Sequence, residues 1–280
     1  MRRTVARCWL LVAGFLSFLA TSDQLRATAF AVEVRPARLE LSIPADQITQ
    51  GTFEISNHNS KAVEVRIAGA PYRFLEENLT FPSAQTWLSF EPSTFTIGAG
   101  SSTTVRFSIA PPQNVAFDTA GEYLAAVLID ELPLAEPEIA EGATPGSGHV
   151  TVVPRFALPV YLTIQGREKV DLEITEISLR SKETPSQRFL KIDTTLKNRG
   201  TVHARPSGHL TILQVTGETV FTSPLGKGLP VLPTGTLLLT AASPMPPPGK
   251  YKAVVTVESQ SETLLQKERL FELDENGKIH

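Results

Sequence analysis

Apolar and polar positions alternate with a period of two along most of this 280-residue chain, starting just after residue 31. Val32 and Val34, then Leu39, Leu41 and Ile43, are each separated by one polar residue. Phe53 and Ile55, and Val63, Val65 and Ile67, do the same on either side of an Asn57-His58-Asn59-Ser60 turn. A two-residue period marks a strand with one buried face, because successive side chains point to opposite faces of a sheet. Asn and Ser suit the turn, since their side chains bond nearby backbone and tolerate left-handed geometry. The same reading predicts strands over 87–90, 95–97, 104–109 and 123–130, and then over 172–179, 189–197, 208–215, 218–221, 236–240, 251–258 and 264–273. Beyond residue 31 no window longer than ten residues keeps a helical apolar period. The pattern is that of an all-β chain.

One arrangement occurs twice. An early strand ends at Ile55-Ser56-Asn57 and again at Leu196-Lys197-Asn198, each before a polar turn. Late in each half, Gly121-Glu122-Tyr123 and Gly249-Lys250-Tyr251 open an apolar strand. Tyr123 and Tyr251 are placed like the tyrosine corner of immunoglobulin-like sandwiches, whose hydroxyl bonds upstream backbone. The repeat predicts two tandem immunoglobulin-like β-sandwich domains, over 32–165 and 166–280, with a flexible joint at Gln165-Gly166-Arg167.

Between them the character changes. Residues 131–149 are crowded with Pro, Glu, Ala and Gly, which predicts a flexible, solvated, acidic loop. Residues 150–164 then carry the longest strand signal of the chain. Val150, Val152, Phe156, Leu158, Val160, Leu162 and Ile164 share one parity, and Arg155 and Tyr161 the other. Pro154 and Pro159 interrupt the run, and a proline cannot donate to a ladder, so the strand is expected at a sheet edge or bulged. Its apolar row either closes the first domain's own core or is partly left for a partner strand.

Charge and composition narrow the function. Arg2, Arg3 and Arg7 precede an apolar stretch from Cys8 to Ala20, and Ala27, Ala29 and Ala31 offer two A-x-A cleavage sites. Residues 1–31 therefore read as a secretory signal whose apolar part is too short to span a bilayer. Its removal predicts a periplasmic or otherwise exported protein without stable membrane insertion. It also takes away four arginines and one aspartate, so the net charge goes from −3 to −6. An acidic surface without a basic run argues against nucleic acid. Cys8 is the single cysteine and leaves with the signal, so no disulfide is expected and each domain relies on its apolar core. No metalloprotease, nucleophile-elbow, phosphate-loop or dinucleotide motif is present, and His58, His149, His203, His209 and His280 read as scattered, solvated turn residues. No enzyme activity, metal or cofactor is expected.

The first half of the chain, mainly 32–165, resembles the periplasmic chaperones of chaperone–usher pilus assembly. The resemblance is carried by Arg35-Pro36-Ala37-Arg38-Leu39-Glu40-Leu41, Ile55-Ser56-Asn57, Trp87-Leu88-Ser89-Phe90-Glu91-Pro92, Phe95-Thr96-Ile97, Pro111-Pro112 and the long late strand with Arg155 inside it. It implies a pair of immunoglobulin-like domains that binds an exported pilin-like subunit by strand addition and works with an outer-membrane usher. Carried over position by position, Arg38 and Arg155 would anchor the client's terminal carboxylate, and Val150, Val152, Phe156 and Leu158 would be donor residues. Two guanidinium groups can clamp one carboxylate through charge-assisted bonds. The competing reading is a structural or adhesive cell-envelope protein built of the same sandwiches.

Overall fold

The computed structural model describes residues 32–72, 82–113, 121–132, 153–226, 228–259 and 264–280. The signal segment, most of the 131–149 loop, Val150 and Val152 lie outside these residues. The fold is all-β, two immunoglobulin-like sandwiches in tandem.

The first sandwich contains β1 (Val32–Arg35), β2 (Leu39–Ile43), β3 (Thr49–Asn57), β4 (Val63–Ala70), β5 (Leu88–Glu91), β6 (Thr94–Ile97), β7 (Ser102–Ile109), β8 (Glu122–Leu132) and β9 (Arg155–Ile164). One sheet runs β1-β3-β7-β5 and the other β2-β9-β8-β4-β6. The first strand thus changes sheets between β1 and β2, and a later one between β5 and β6. Both crossings pass through cis X-Pro peptides, Arg35-Pro36 and Glu91-Pro92. The inward row of each strand, such as Phe53 and Ile55 or Val160, Leu162 and Ile164, meets in one core.

The second sandwich contains β10 (Leu172–Glu183), β11 (Arg188–Asn198), β12 (Ser207–Gln214), β13 (Thr219–Leu225), β14 (Thr236–Pro244), β15 (Gly249–Glu258) and β16 (Leu264–Leu273). Its sheets run β10-β11-β14 and β13-β12-β15-β16 around a separate core that includes Ile192, Leu210 and Val255. The exposed edges of β10 and β16 face each other across the sandwich. There Lys267 donates to the carbonyls of Ile174 (2.9 Å) and Thr175 (2.6 Å), and Arg269 donates to that of Ile177. Charged side chains on an edge strand are a standard defence against unwanted pairing.

The repeated motifs are repeated bonds. Asn57 is buried, accepts from the amide of Asn59 at 2.9 Å, and donates to the carbonyls of Lys61, Ile97 and Gly98. Asn198 is buried, accepts from the amide of Gly200 at 2.8 Å, and donates to the carbonyls of Val202 and Val231. In both, the side chain closes the turn and staples it to a distant loop, which is why asparagine ends both strands. The Tyr251 hydroxyl donates to the carbonyl of Pro247 at 2.7 Å, four residues upstream. At the matching place Tyr123 is buried with its ring 4.6 Å from that of Trp87.

Three expectations need revision. Strand β8 continues through Glu131 and Leu132, two residues into the predicted loop, because both still pair with β4. Strand β9 is not an edge strand over its whole length, since β2 covers its C-terminal half. His203 is not solvated but buried between the sandwiches, where it meets carboxylates.

Candidate functional site

Strand β9 has two different halves. Antiparallel β8 accompanies it along its full length, from Asp130 opposite Arg155 to Glu122 opposite Thr163. On its other side, parallel β2 pairs only with Val160 to Ile164, beginning at Leu39. Among the described residues no strand pairs with that side from Arg155 to Pro159. Five residues of open edge span about 16 Å at 3.3 Å per residue.

Three backbone bonds fix which groups face the open side. Glu131 donates to the carbonyl of Pro154 at 3.0 Å and Ile164 to that of Gly121 at 2.8 Å, so even-numbered residues of β9 turn their polar groups to β8. Gln165 donates to the carbonyl of Ile43 at 3.0 Å, so odd-numbered residues turn theirs to the β2 side. Arg155 and Ala157 therefore present N–H and C=O groups outward along the open edge. Pro159 lies at an outward position, where its missing N–H costs the β8 ladder nothing. That accounts for a proline inside a strand of the main sheet.

The site residues expected from sequence fall in two places. Arg38 immediately precedes β2, next to Leu39, whose register partner is Val160, and so stands at the C-terminal limit of the open edge. Arg155 stands at the opposite end, four register positions or roughly 13 Å away. It is bound to Asp130, its Nε donating to Oδ1 at 2.6 Å and a terminal nitrogen to Oδ2 at 3.1 Å, while Arg66 adds a third bond at 3.0 Å. The bond from Arg155 holds the Asp130 carboxyl below its ordinary range despite burial. The structure therefore does not bring Arg38 and Arg155 together on one carboxylate. Leu158 is buried and Phe156 half-buried against the first core, so both spend their side chains within their own sandwich.

Arg38 instead joins a cluster that sequence spacing did not suggest. Its Nε donates to Glu40 Oε1 at 2.7 Å, and the Nε of Arg205, from the second sandwich, donates to the same oxygen at 2.6 Å. A further donor of Arg205 reaches the carbonyl of Gly228 at 2.7 Å, and its guanidinium lies 5.2 Å from the centre of the Tyr161 ring. His203 Nδ1 donates to the buried carboxylate of Glu122, whose other oxygen accepts from the His203 amide at 2.9 Å. His203 Nε2 is buried without a hydrogen-bond partner and lies 3.6 Å from Glu40 Oε1. Burial alone would raise the Glu40 pKa, but the bonds from Arg38 and Arg205 outweigh it and hold the carboxyl below its ordinary range.

This cluster is also the junction of the sandwiches. Leu232 packs with Leu124 and Tyr161, and the Tyr161 ring lies 4.4 Å from that of His203. Thr201 donates to the carbonyl of Arg167 at 2.7 Å and accepts from the amide of Lys169 at 2.9 Å, at and just after the predicted joint. A side chain at Gly121 would collide with Thr201 and come within 2.6 Å of the Arg167 carbonyl, which explains glycine there. On the same outer face an apolar groove of about 380 Å³ adjoins the cluster, lined by Ala70, Tyr72, Ala126, Leu128, Ala157 and Pro159. The Tyr72 and Tyr161 hydroxyls bond each other at 3.0 Å and connect groove to cluster.

No family model matches the chain, and no curated protein matches it. Among solved structures it is similar to the CupB2 chaperone of Pseudomonas aeruginosa, at 15% identity and a TM-score of 0.43, covering 85% of this chain and 98% of that one. It is also similar to the E. coli chaperone DraB, at 14% identity and a TM-score of 0.41 over 86% and 96%. A third is the CsuC-CsuE chaperone-tip adhesion subunit pre-assembly complex of Acinetobacter baumannii, at 17% identity and a TM-score of 0.41 over 85% and 97%. At such identities the likeness is one of fold, and function has to be read from the chain's own geometry.

Proposed function

We propose that this protein is a chaperone that captures an exported, pilin-like subunit by strand addition along β9, with the client's terminal carboxylate at Arg38. The observation that carries this reading is the open edge from Arg155 to Pro159, which ends beside Arg38. A client strand laid there would lie in line with β2. Running parallel to β9, as β2 does, it would end with its carboxylate against Arg38. Running the other way it would bring an ammonium to the same guanidinium. Charge therefore selects the parallel orientation. Ladder bonds supply affinity that depends little on client sequence, which suits a chaperone of related subunits.

Within this reading the donor role falls on the backbone of Arg155 and Ala157, while Phe156 packs against its own core. Leu158 and Arg155 contribute through their own sandwich. Val150 and Val152 lie outside the described residues. The proposed place of work is the periplasm, with hand-over to an outer-membrane usher.

The burial of Leu158 and the engagement of Arg155 with Asp130 favour the alternative, a structural envelope module with no client. Co-expression with a pilin subunit lacking its N-terminal strand separates the two. The chaperone reading expects a one-to-one complex that survives gel filtration. Ala157→Pro should abolish it, weakening binding about 1000-fold, or about 4 kcal/mol, because it removes an outward N–H and leaves the β8 ladder whole. A wild-type chain that forms no complex, or an Ala157→Pro chain that forms it equally well, leaves the structural reading in possession.

A further inference from the structure

Glu40 is a carboxylate held by two arginines from different sandwiches at the end of the open edge. Arg38 and Arg205 both donate through Nε to its Oε1, at 2.7 and 2.6 Å. His203, its side chain only 8% exposed, directs an unpartnered Nε2 toward the same oxygen from 3.6 Å. Two guanidinium groups converging on one oxygen make an anion site, and here the anion belongs to the protein.

The site is also prepared before any ligand arrives. The Arg205 side chain is 10% exposed and is fixed by the Gly228 carbonyl and the Tyr161 ring. Glu40 and Arg38, at 32% and 50% exposure, leave a way in from solvent. Without Glu40, two guanidinium groups beside a buried imidazole would lose their shared carboxylate, at a cost in repulsion and desolvation.

We propose that Arg38 and Arg205 form a carboxylate-binding site spanning the two sandwiches, which Glu40 occupies in the client-free chain and the terminal carboxylate of a β9-bound strand takes over. This deepens the reading above and rests on it. Arg205, not Arg155, is then the second arginine of the clamp. Glu40 also sets selectivity. It is tethered two residues from Arg38, so its effective concentration exceeds that of a free anion, and a small carboxylate in solution does not displace it. A carboxylate delivered by a strand already paired to β9 is tethered too, and competes on equal terms. The exchange releases the Glu40–Arg205 bond that helps hold the sandwiches together, so capture is coupled to the junction.

The test uses the full mature chain and a soluble ten-residue peptide of alternating valine and threonine with a lysine at its N-terminus, as the free acid and as the C-terminal amide. Affinities are read by isothermal titration. Wild type should prefer the acid. Glu40→Gln, which keeps shape and loses charge, should bind the acid about tenfold more tightly and the amide within about twofold of wild type. Arg38→Gln, at the more exposed guanidinium, should erase the preference for the acid without unfolding the chain. If Glu40→Gln leaves acid affinity unchanged, or moves acid and amide together, the occupied-site proposal is overturned while strand addition stands. If wild type and Glu40→Gln bind neither peptide, the proposal falls together with the reading on which it rests.

Discussion

The two sandwiches share a plan and differ at their edges. In the second, the facing edges of β10 and β16 are bridged by Lys267 and Arg269, which occupy carbonyls that another strand could have used. In the first, the Arg155–Pro159 side of β9 has no such cover among the described residues, although β2 protects the remainder. Elsewhere the pair match closely. Each has a buried asparagine closing the same turn, and each has a buried aspartate, Asp130 or Asp193, held ionised by flanking basic groups. The shared features are those that stabilise a sandwich, and the open stretch of β9 is among the features not shared. An edge left unpaired is a ready template for pairing with another strand, which is the basis of the proposal made for β9.

That comparison can be broken at its strongest shared point. Asn57→Ala and Asn198→Ala each strand buried carbonyls, and each should destabilise its own sandwich by about 3 kcal/mol. Thermal melts followed by calorimetry should show similar losses for both. A large loss in one and none in the other would mean that the repeated turn is not a repeated structural element.

The contrast between edges is sharpened by uncovering the protected one. Lys267→Ala combined with Arg269→Ala should cost about 2 kcal/mol, given the partial exposure of both side chains. It should also make the second sandwich self-associate in sedimentation experiments, as an unguarded edge does. A double variant that stays monomeric and stable would show that those bonds do not protect the edge. The smallest effect is expected at the corner tyrosine. Tyr251→Phe loses one bond to the Pro247 carbonyl and should lower stability by about 1 kcal/mol, measurable by denaturant titration.

Much of this architecture is written in local pattern. The two-residue period places nearly every strand, because whether a strand side chain faces core or solvent is settled by its own parity. Gly121-Glu122-Tyr123 and Gly249-Lys250-Tyr251 locate matching strands, and Asn57 and Asn198 locate matching turns, because turn chemistry acts over a few residues. Arg38, by contrast, is singled out by the family resemblance and not by periodicity or turn chemistry.

What the sequence alone could not decide is which distant residues share a place. Arg38 and Arg155 look like a pair only if their strands align end to end, and that depends on register, which pairs Leu39 with Val160. A shift of a few residues moves a guanidinium by more than its own length. His203 reads as a solvated turn residue and nothing near Arg205 in sequence singles it out, yet the packing of one sandwich on the other brings Arg205 to Glu40 and His203 to Glu122. Pro159 points to a sheet edge or a bulge, but only the bond pattern shows that its nitrogen faces the open side. Periodicity and turn residues encode local conformation, so the strands were fixed by sequence. Strand register and the docking of the sandwiches come from contacts summed over the whole chain, so only the tertiary structure could set Glu40 between two arginines.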